Sequence, residues 1–114
     1  MKPKITYGEL LGKIIDYRRK QLGLLQAPFA EALGITQSGY SRLEKGQSAM
    51  SVVQLQIVAR LLRCTPANLL ADADRYAVQL RAQGAEIVTD KQNSSAAGLL
   101  IALGILAALL ASKK

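Results

Sequence analysis

The 114-residue sequence predicts an all-α protein: a domain of five short helices, an extra helix, and a hydrophobic C-terminal helix. Three observations predict this fold. Apolar residues recur at helical spacing through the first 70 residues, with no alternating strand pattern. Start and stop signals divide that region into short helical segments. The chain then ends in an uninterrupted apolar run. We therefore divide it into a domain over 6–71, a helix and polar linker over 72–95, and a hydrophobic helix over 96–112.

The first two helices are bounded by local signals. Thr6 and Glu9 have the spacing of a capping box, in which the hydroxyl and the carboxylate each accept a backbone N–H of the other residue. The helix that they open is predicted to reach Gly23. The second helix is predicted over 26–33 and ends at Gly34, because glycine readily adopts the positive φ of a C-terminal cap.

The next three helices follow the same logic. The third begins after Thr36 as N-cap and ends before Gly46. Ser51 and Gln54 have capping-box spacing and open the fourth helix. The dipeptide Thr65–Pro66 supplies the N-cap and first residue of the fifth.

The apolar positions of these helices define the predicted core. Its members are Leu11, Ile15, Leu22, Leu24, Phe29, Ala30, Leu33, Ile35, Tyr40, Leu43, Leu55, Val58, Ala59, Leu62, Leu69 and Leu70. A sixth helix is predicted over 72–83, stopped by Gly84. The segment 86–89 is too short to assign, and 91–95 is polar enough to be a linker.

Composition limits the chemistry. The chain has no histidine and one cysteine, Cys64, so it cannot build a histidine general base, a His-ligated metal site or an internal disulfide. An enzyme is therefore the least favoured class, and we expect no cofactor and no metal. The net charge is +7, and the first 70 residues carry +6 of it. That domain is the part of the chain suited to bind a polyanion.

The segment Gln26–Leu43 has the pattern of two short helices joined by a tight turn. Ala30 leaves room for the second helix to cross the first, and Gly34 supplies the positive φ of the turn. Five apolar side chains must point inward to hold the helices together: Phe29, Leu33, Ile35, Tyr40 and Leu43. This spacing predicts helix-turn-helix geometry.

From Leu11 to Leu70 the chain resembles the Cro/C1-type helix-turn-helix proteins, the group of lambdoid phage repressors and many bacterial regulators. Three stretches carry the resemblance: Leu22–Gln26, Ala30–Ser38 and Ser41–Gly46. The resemblance implies a five-helix domain whose third helix enters the major groove of double-stranded DNA. It also implies a homodimer on a near-palindromic operator.

The resemblance assigns base contacts to four residues of the third helix. Gln37 and Ser38 open that helix and face base edges, while Ser41 and Arg42 follow one turn later. A glutamine amide can pair with adenine, and an arginine fork can bind guanine.

Other roles also come from the resemblance. Gln26 lies on a phosphate and braces Gln37. Lys45 is a further phosphate candidate. Arg18 and Lys20 belong to a run of three basic residues, and either contact phosphate or are simply solvated. The structural positions are Ala30, Gly34, Ile35, Tyr40, Leu43, Arg19 and Glu44, of which the last two tie the first helix to the end of the third.

Three positions depart from the family pattern. Leu25 stands where the family often has an N-cap side chain. Gly39 lies inside the recognition helix, where glycine is less favourable than alanine by up to about 1 kcal/mol. The loop 46–51 has no basic residue, which reduces the number of phosphate contacts.

The C-terminal run Ala96–Ala111 is open to three interpretations. It is apolar on every side, and Gly98/Ala102 and Gly104/Ala108 are small pairs suited to close helix contact. We favour a membrane anchor formed by residues 96–112, ahead of a helix buried between subunits and a helix folded back on the domain.

The sequence thus favours a cytoplasmic transcriptional regulator, most simply a repressor, that binds a palindromic operator as a dimer. Its tail would attach it to the inner face of the cell membrane. The alternative is a membrane-anchored adaptor that uses the same fold to bind a protein partner.

Overall fold

A computed structural model describes residues 2–89 and 95–112. The fold prediction is confirmed: within those residues the chain is mostly helical, with a hydrophobic helix at its C-terminal end. The elements are β1 (Lys4–Thr6), α1 (Tyr7–Gln21), α2 (Gln26–Leu33), α3 (Gln37–Glu44), α4 (Val52–Leu61), α5 (Pro66–Ala82), β2 (Glu86–Val88) and α6 (Ala96–Ala111).

The helix starts follow the local signals of the sequence. Capping boxes open α1, α4 and α5, and Thr36 caps α3 by accepting the Gly39 N–H at 3.0 Å. In contrast, α2 starts after Leu25 with no side-chain cap. Its N-terminal N–H groups are therefore not satisfied by a cap of its own.

The structure differs from the predicted elements in two ways. The fifth helix and the extra helix are one continuous helix, α5, because no glycine or proline interrupts the chain between 67 and 82. The N-terminal segment also contains a strand: β1 pairs in parallel with β2, and Ile5 lies opposite Ile87. Three-residue strands are too short to show an alternating pattern. Most of the predicted linker, residues 91–94, lies outside the described residues.

The core forms where the helices meet, with two corrections to the predicted set. Leu22 and Leu70 remain 39% and 37% exposed. On α1 the fully buried side chains are Leu10 and Ile14 together with Ile15, whereas Leu11 is only partly buried. The buried stripe of α1 thus differs from the predicted one at Leu10 and Ile14, on a helix against which α5, α3 and β1 all pack.

Glycine allows the end of α3 to lie directly on α1. A Cβ at Gly12 would overlap the backbone carbonyl oxygen of Glu44. Gly46, just beyond α3, has φ 71° and would place a Cβ 2.6 Å from the Glu9 backbone nitrogen. The tilt of α3 against α1 therefore depends on a close backbone approach that larger residues would prevent.

The C-terminal helix α6 packs on β1 and α5. Its buried face repeats every four residues, at Gly98, Ala102, Leu106 and Leu110. A Cβ on Gly98 would lie 2.9 Å from the Lys2 carbonyl oxygen, so this glycine permits contact with the strand. The helix is thus folded back on the domain, the interpretation that the sequence favoured least.

The preferred interpretation of this segment, a transmembrane anchor, finds no support. Among the described residues, no helix combines the length and the apolar character that a bilayer crossing requires.

We expect Gly12→Ala to destabilise the protein by about 1–3 kcal/mol, the usual range for overpacking, because the added methyl must displace the end of α3. Urea unfolding followed by circular dichroism measures the change.

The matched control is Gly104→Ala on α6, where an added Cβ meets nothing within 4 Å. This substitution should leave stability unchanged or raise it by up to about 1 kcal/mol through helix propensity. Equal effects of the two substitutions would contradict the close approach at Gly12.

Candidate nucleic-acid interface

The helices α2 and α3 form a rigid helix-turn-helix unit. Gly34 ends α2 with φ 69° in the left-handed region, and the Ile35 N–H donates to the Ala30 carbonyl at 3.0 Å. The buried rings of Phe29 and Tyr40 lie 5.4 Å apart between the two helices. This packing fixes the angle at which α3 leaves the turn.

One side of α3 faces solvent. Gln37, Ser38 and Arg42 are exposed, and Ser41 is half-buried. Their spacing places them on neighbouring turns of one helix face. Amide, hydroxyl and guanidinium groups there can donate to and accept from base edges, and the face carries no carboxylate that would repel phosphate.

A buried ion pair joins α1 to the end of α3. The Nε and Nη2 atoms of Arg19 donate to the two Glu44 carboxylate oxygens, each at 3.0 Å. Arg19 also donates to the Leu24 carbonyl at 2.8 Å and to Asp16 at 2.9 Å. Both members of the pair are almost fully buried, so the charges are screened little by water.

Gln26 completes this cluster. Its side-chain amide donates to Glu44 Oε1 at 3.1 Å, which ties the first residue of α2 to the last residue of α3. The resemblance implied that Gln26 braces Gln37. In the protein without DNA, the Gln26 side chain bonds to Glu44 instead. Gln26 is half-buried, and its position at the N-terminus of α2 suits a phosphate.

The cluster shifts the pKa values of its members. Hydrogen bonding to Glu44 raises the pKa of Arg19 further above its ordinary value. Burial opposes ionisation of Asp16, but the ammonium groups of Lys20 and Lys13 outweigh it and lower the pKa of that carboxyl. Burial raises the pKa of the Tyr40 hydroxyl, which stays neutral inside the unit.

The phosphate candidates differ in availability. Lys45 is exposed at the end of α3 and makes no ion pair within the described residues. Lys20 is exposed and lies 3.2 Å from Asp16. Arg18 is less available, because its Nε and Nη2 atoms donate to Asp72 Oδ2 on α5 at 3.1 and 2.8 Å.

Sequence reasoning missed Asp72. The carboxylate is buried and also accepts from Arg75 at 2.7 Å, so it holds two arginines at the α1–α5 contact. The i, i+3 spacing of Asp72 and Arg75 was the available signal. The partner on α1 is 54 residues away and could not be read from the sequence.

Residues 15–69 match the sequence model of the helix-turn-helix family. The domain formed by these residues belongs to the Cro/C1-type helix-turn-helix family. No curated protein and no solved structure matches the chain. The family match supports a DNA-binding regulator.

We expect Glu44→Ala to destabilise the helix-turn-helix domain by about 3–5 kcal/mol, because it leaves the Arg19 guanidinium buried without its main partner. Thermal or urea unfolding measures the loss.

Glu31→Ala removes an exposed carboxylate from α2 and serves as the control, with an expected change within about 0.5 kcal/mol. Should the two alanine variants unfold alike, the ion pair would not hold α3 in place.

Proposed function

We propose that the protein is a sequence-specific transcriptional repressor that reads operator DNA with Gln37, Ser38, Ser41 and Arg42. The main observation in support of this proposal is the solvent-facing polar side of α3, which the buried Arg19–Glu44 pair holds at a fixed angle. Lys45, Gln26 and Lys20 would bind the flanking phosphates. Repression would follow from occlusion of the promoter by the bound protein.

The small number of free cations near α3 supports binding as a dimer. Arg18 is held by Asp72, and the loop 46–51 has no basic residue. Few phosphate contacts per copy mean weak binding per copy. Two copies on half-sites about 34 Å apart, one turn of B-DNA, would recover the affinity.

The outer face of α6 supports the same proposal. It is uncharged, and Leu100 and Ile101 are 70% and 41% exposed there. The remaining exposed positions of this face are small: Ala96, Ala97, Gly104, Ala107, Ala108 and Ala111. Small residues allow two helices to approach closely, so this face suits a second copy of the chain.

A second function has one observation in its favour. Val52 and Val53 open α4 beside the uncharged loop 46–51, and they are 75% and 63% exposed. Exposed apolar side chains after this loop, in place of basic residues, suit a protein partner. The domain would then act as an adaptor that binds protein rather than DNA.

We expect Arg42→Ala to weaken binding to the selected operator by about 1–3 kcal/mol and to relax specificity at one base pair. Random-sequence DNA selection with the purified protein, followed by gel-shift titration, measures both effects. Lys45→Gln should weaken binding equally on all sequences, since a phosphate contact reads no base.

Arg81→Ala removes an exposed arginine of α5 and is the matched control, which should bind as the unaltered chain does. If Arg42→Ala lost affinity uniformly, or if selection enriched no sequence at low salt, the base-reading role would fail and the adaptor function would be favoured.

We expect Leu100→Gln to shift the protein toward the monomer and to weaken operator binding, because it places an amide in the apolar outer face of α6. Analytical ultracentrifugation measures the association, with Val78→Gln on exposed α5 as control. An unchanged association constant for Leu100→Gln would place the dimer contact elsewhere.

A further inference from the structure

A cavity of about 480 Å³ lies between α1, the end of α3 and α6. This volume falls within the range of small-molecule sites in proteins. Leu99 and Leu103 of α6 form an apolar wall, and both are half-buried. The Arg19–Glu44 pair and Gln47, in the loop beyond α3, also line the cavity.

The charges that line the cavity do not balance. Four cations face it, Lys13, Arg19, Lys20 and Lys45, against three carboxylates, Glu9, Asp16 and Glu44. Glu9 is occupied by the Thr6 N–H at 2.8 Å, and Glu44 by Arg19 and Gln26.

Asp16 is thus the remaining carboxylate for the lysines. It is shared by Lys13 at 3.3 Å, Lys20 at 3.2 Å and Arg19. The three lysines that line the cavity therefore carry more positive charge than the available carboxylate neutralises, and the cavity favours an anion.

We propose that this cavity binds a small amphipathic anion, a carboxylate or phosphate carried on an apolar body. The apolar body lies against Leu99 and Leu103, and the anionic group lies among Lys13, Lys20 and Lys45. A purely ionic ligand would leave the leucine wall unused, and a purely apolar ligand would leave the lysines without a partner.

Occupation of the cavity would affect the DNA surface, a step that rests on the proposed function. Lys45 and Gln26 line the cavity and are also the proposed phosphate contacts. An anion held by Lys45 competes directly with a DNA phosphate for the same ammonium group. The bound anion would therefore lower the affinity for the operator, as an inducer does.

The probe is sodium octanoate, used below the concentration at which it forms micelles. Isothermal titration calorimetry measures its binding to the full chain in the absence of DNA. Octanoate should bind with one site per chain, and sodium acetate should not bind in the same range. Amide shifts in a labelled sample should cluster at Lys13, Gln47 and Leu103. Leu103→Gln and Lys13→Gln should each weaken octanoate binding by about tenfold.

The control is Val78→Gln, an exposed apolar position of α5 that does not line the cavity, and its octanoate affinity should be unchanged. Circular dichroism checks that each variant is folded, and Lys13→Gln leaves the α6 wall intact. No octanoate binding, equal binding of acetate, or unaltered binding by both cavity variants would overturn the proposal.

Gel shifts with and without octanoate form a separate arm. Loss of DNA affinity in octanoate supports the coupling, and unchanged affinity overturns it. If the chain binds no DNA at all but binds octanoate, the repressor function fails while the cavity site stands.

Discussion

The orientation of α3 relative to α1 depends on the buried ion pair between Arg19 and Glu44. Arg19 and Glu44 are each almost fully buried, and the carboxylate also accepts from Gln26. Two charges without water between them attract strongly only when their geometry is fixed and their other hydrogen bonds are satisfied. Here one arginine meets Glu44, Asp16 and a backbone carbonyl, so α1, α2 and α3 can adopt only a narrow range of mutual angles.

The same requirement explains the glycines at positions 12 and 46. The ion pair forms only if the end of α3 approaches α1 closely, and that approach requires the absence of a side chain at Gly12 and at Gly46. Gly34 satisfies a different condition, the left-handed turn between α2 and α3. Backbone contact and electrostatics are therefore not independent, because a residue that widened the α1–α3 gap would also separate the charges that hold it.

The sequence predicted correctly those features of the fold that neighbouring residues determine. Thr6 and Ser51 placed helix starts correctly because a capping box is contained within four residues. Thr65 did so because the proline that follows it suits the first position of a helix. The sequence did not predict the features that depend on contacts between residues far apart in the chain. The partner of Arg18 lies 54 residues away, and the position of α6 depends on Gly98 meeting β1, a strand too short to recognise. A helix that is apolar all round, such as α6, has no periodicity to indicate which face will be covered.

The C-terminal helix α6 combines a patterned inner face with an open apolar outer face, which a simple apolar anchor would not need. Buried residues recur at four-residue intervals along its inner face, which packs against the domain. Leu99 and Leu103 lie beside that face and line the cavity together with Lys45. Its outer face remains apolar and open. A ligand in the cavity would contact the same helix that a second copy would contact from outside. Effector binding, association and DNA affinity would then act through one element, and removal of α6 should affect all three while leaving the α2–α3 packing in place.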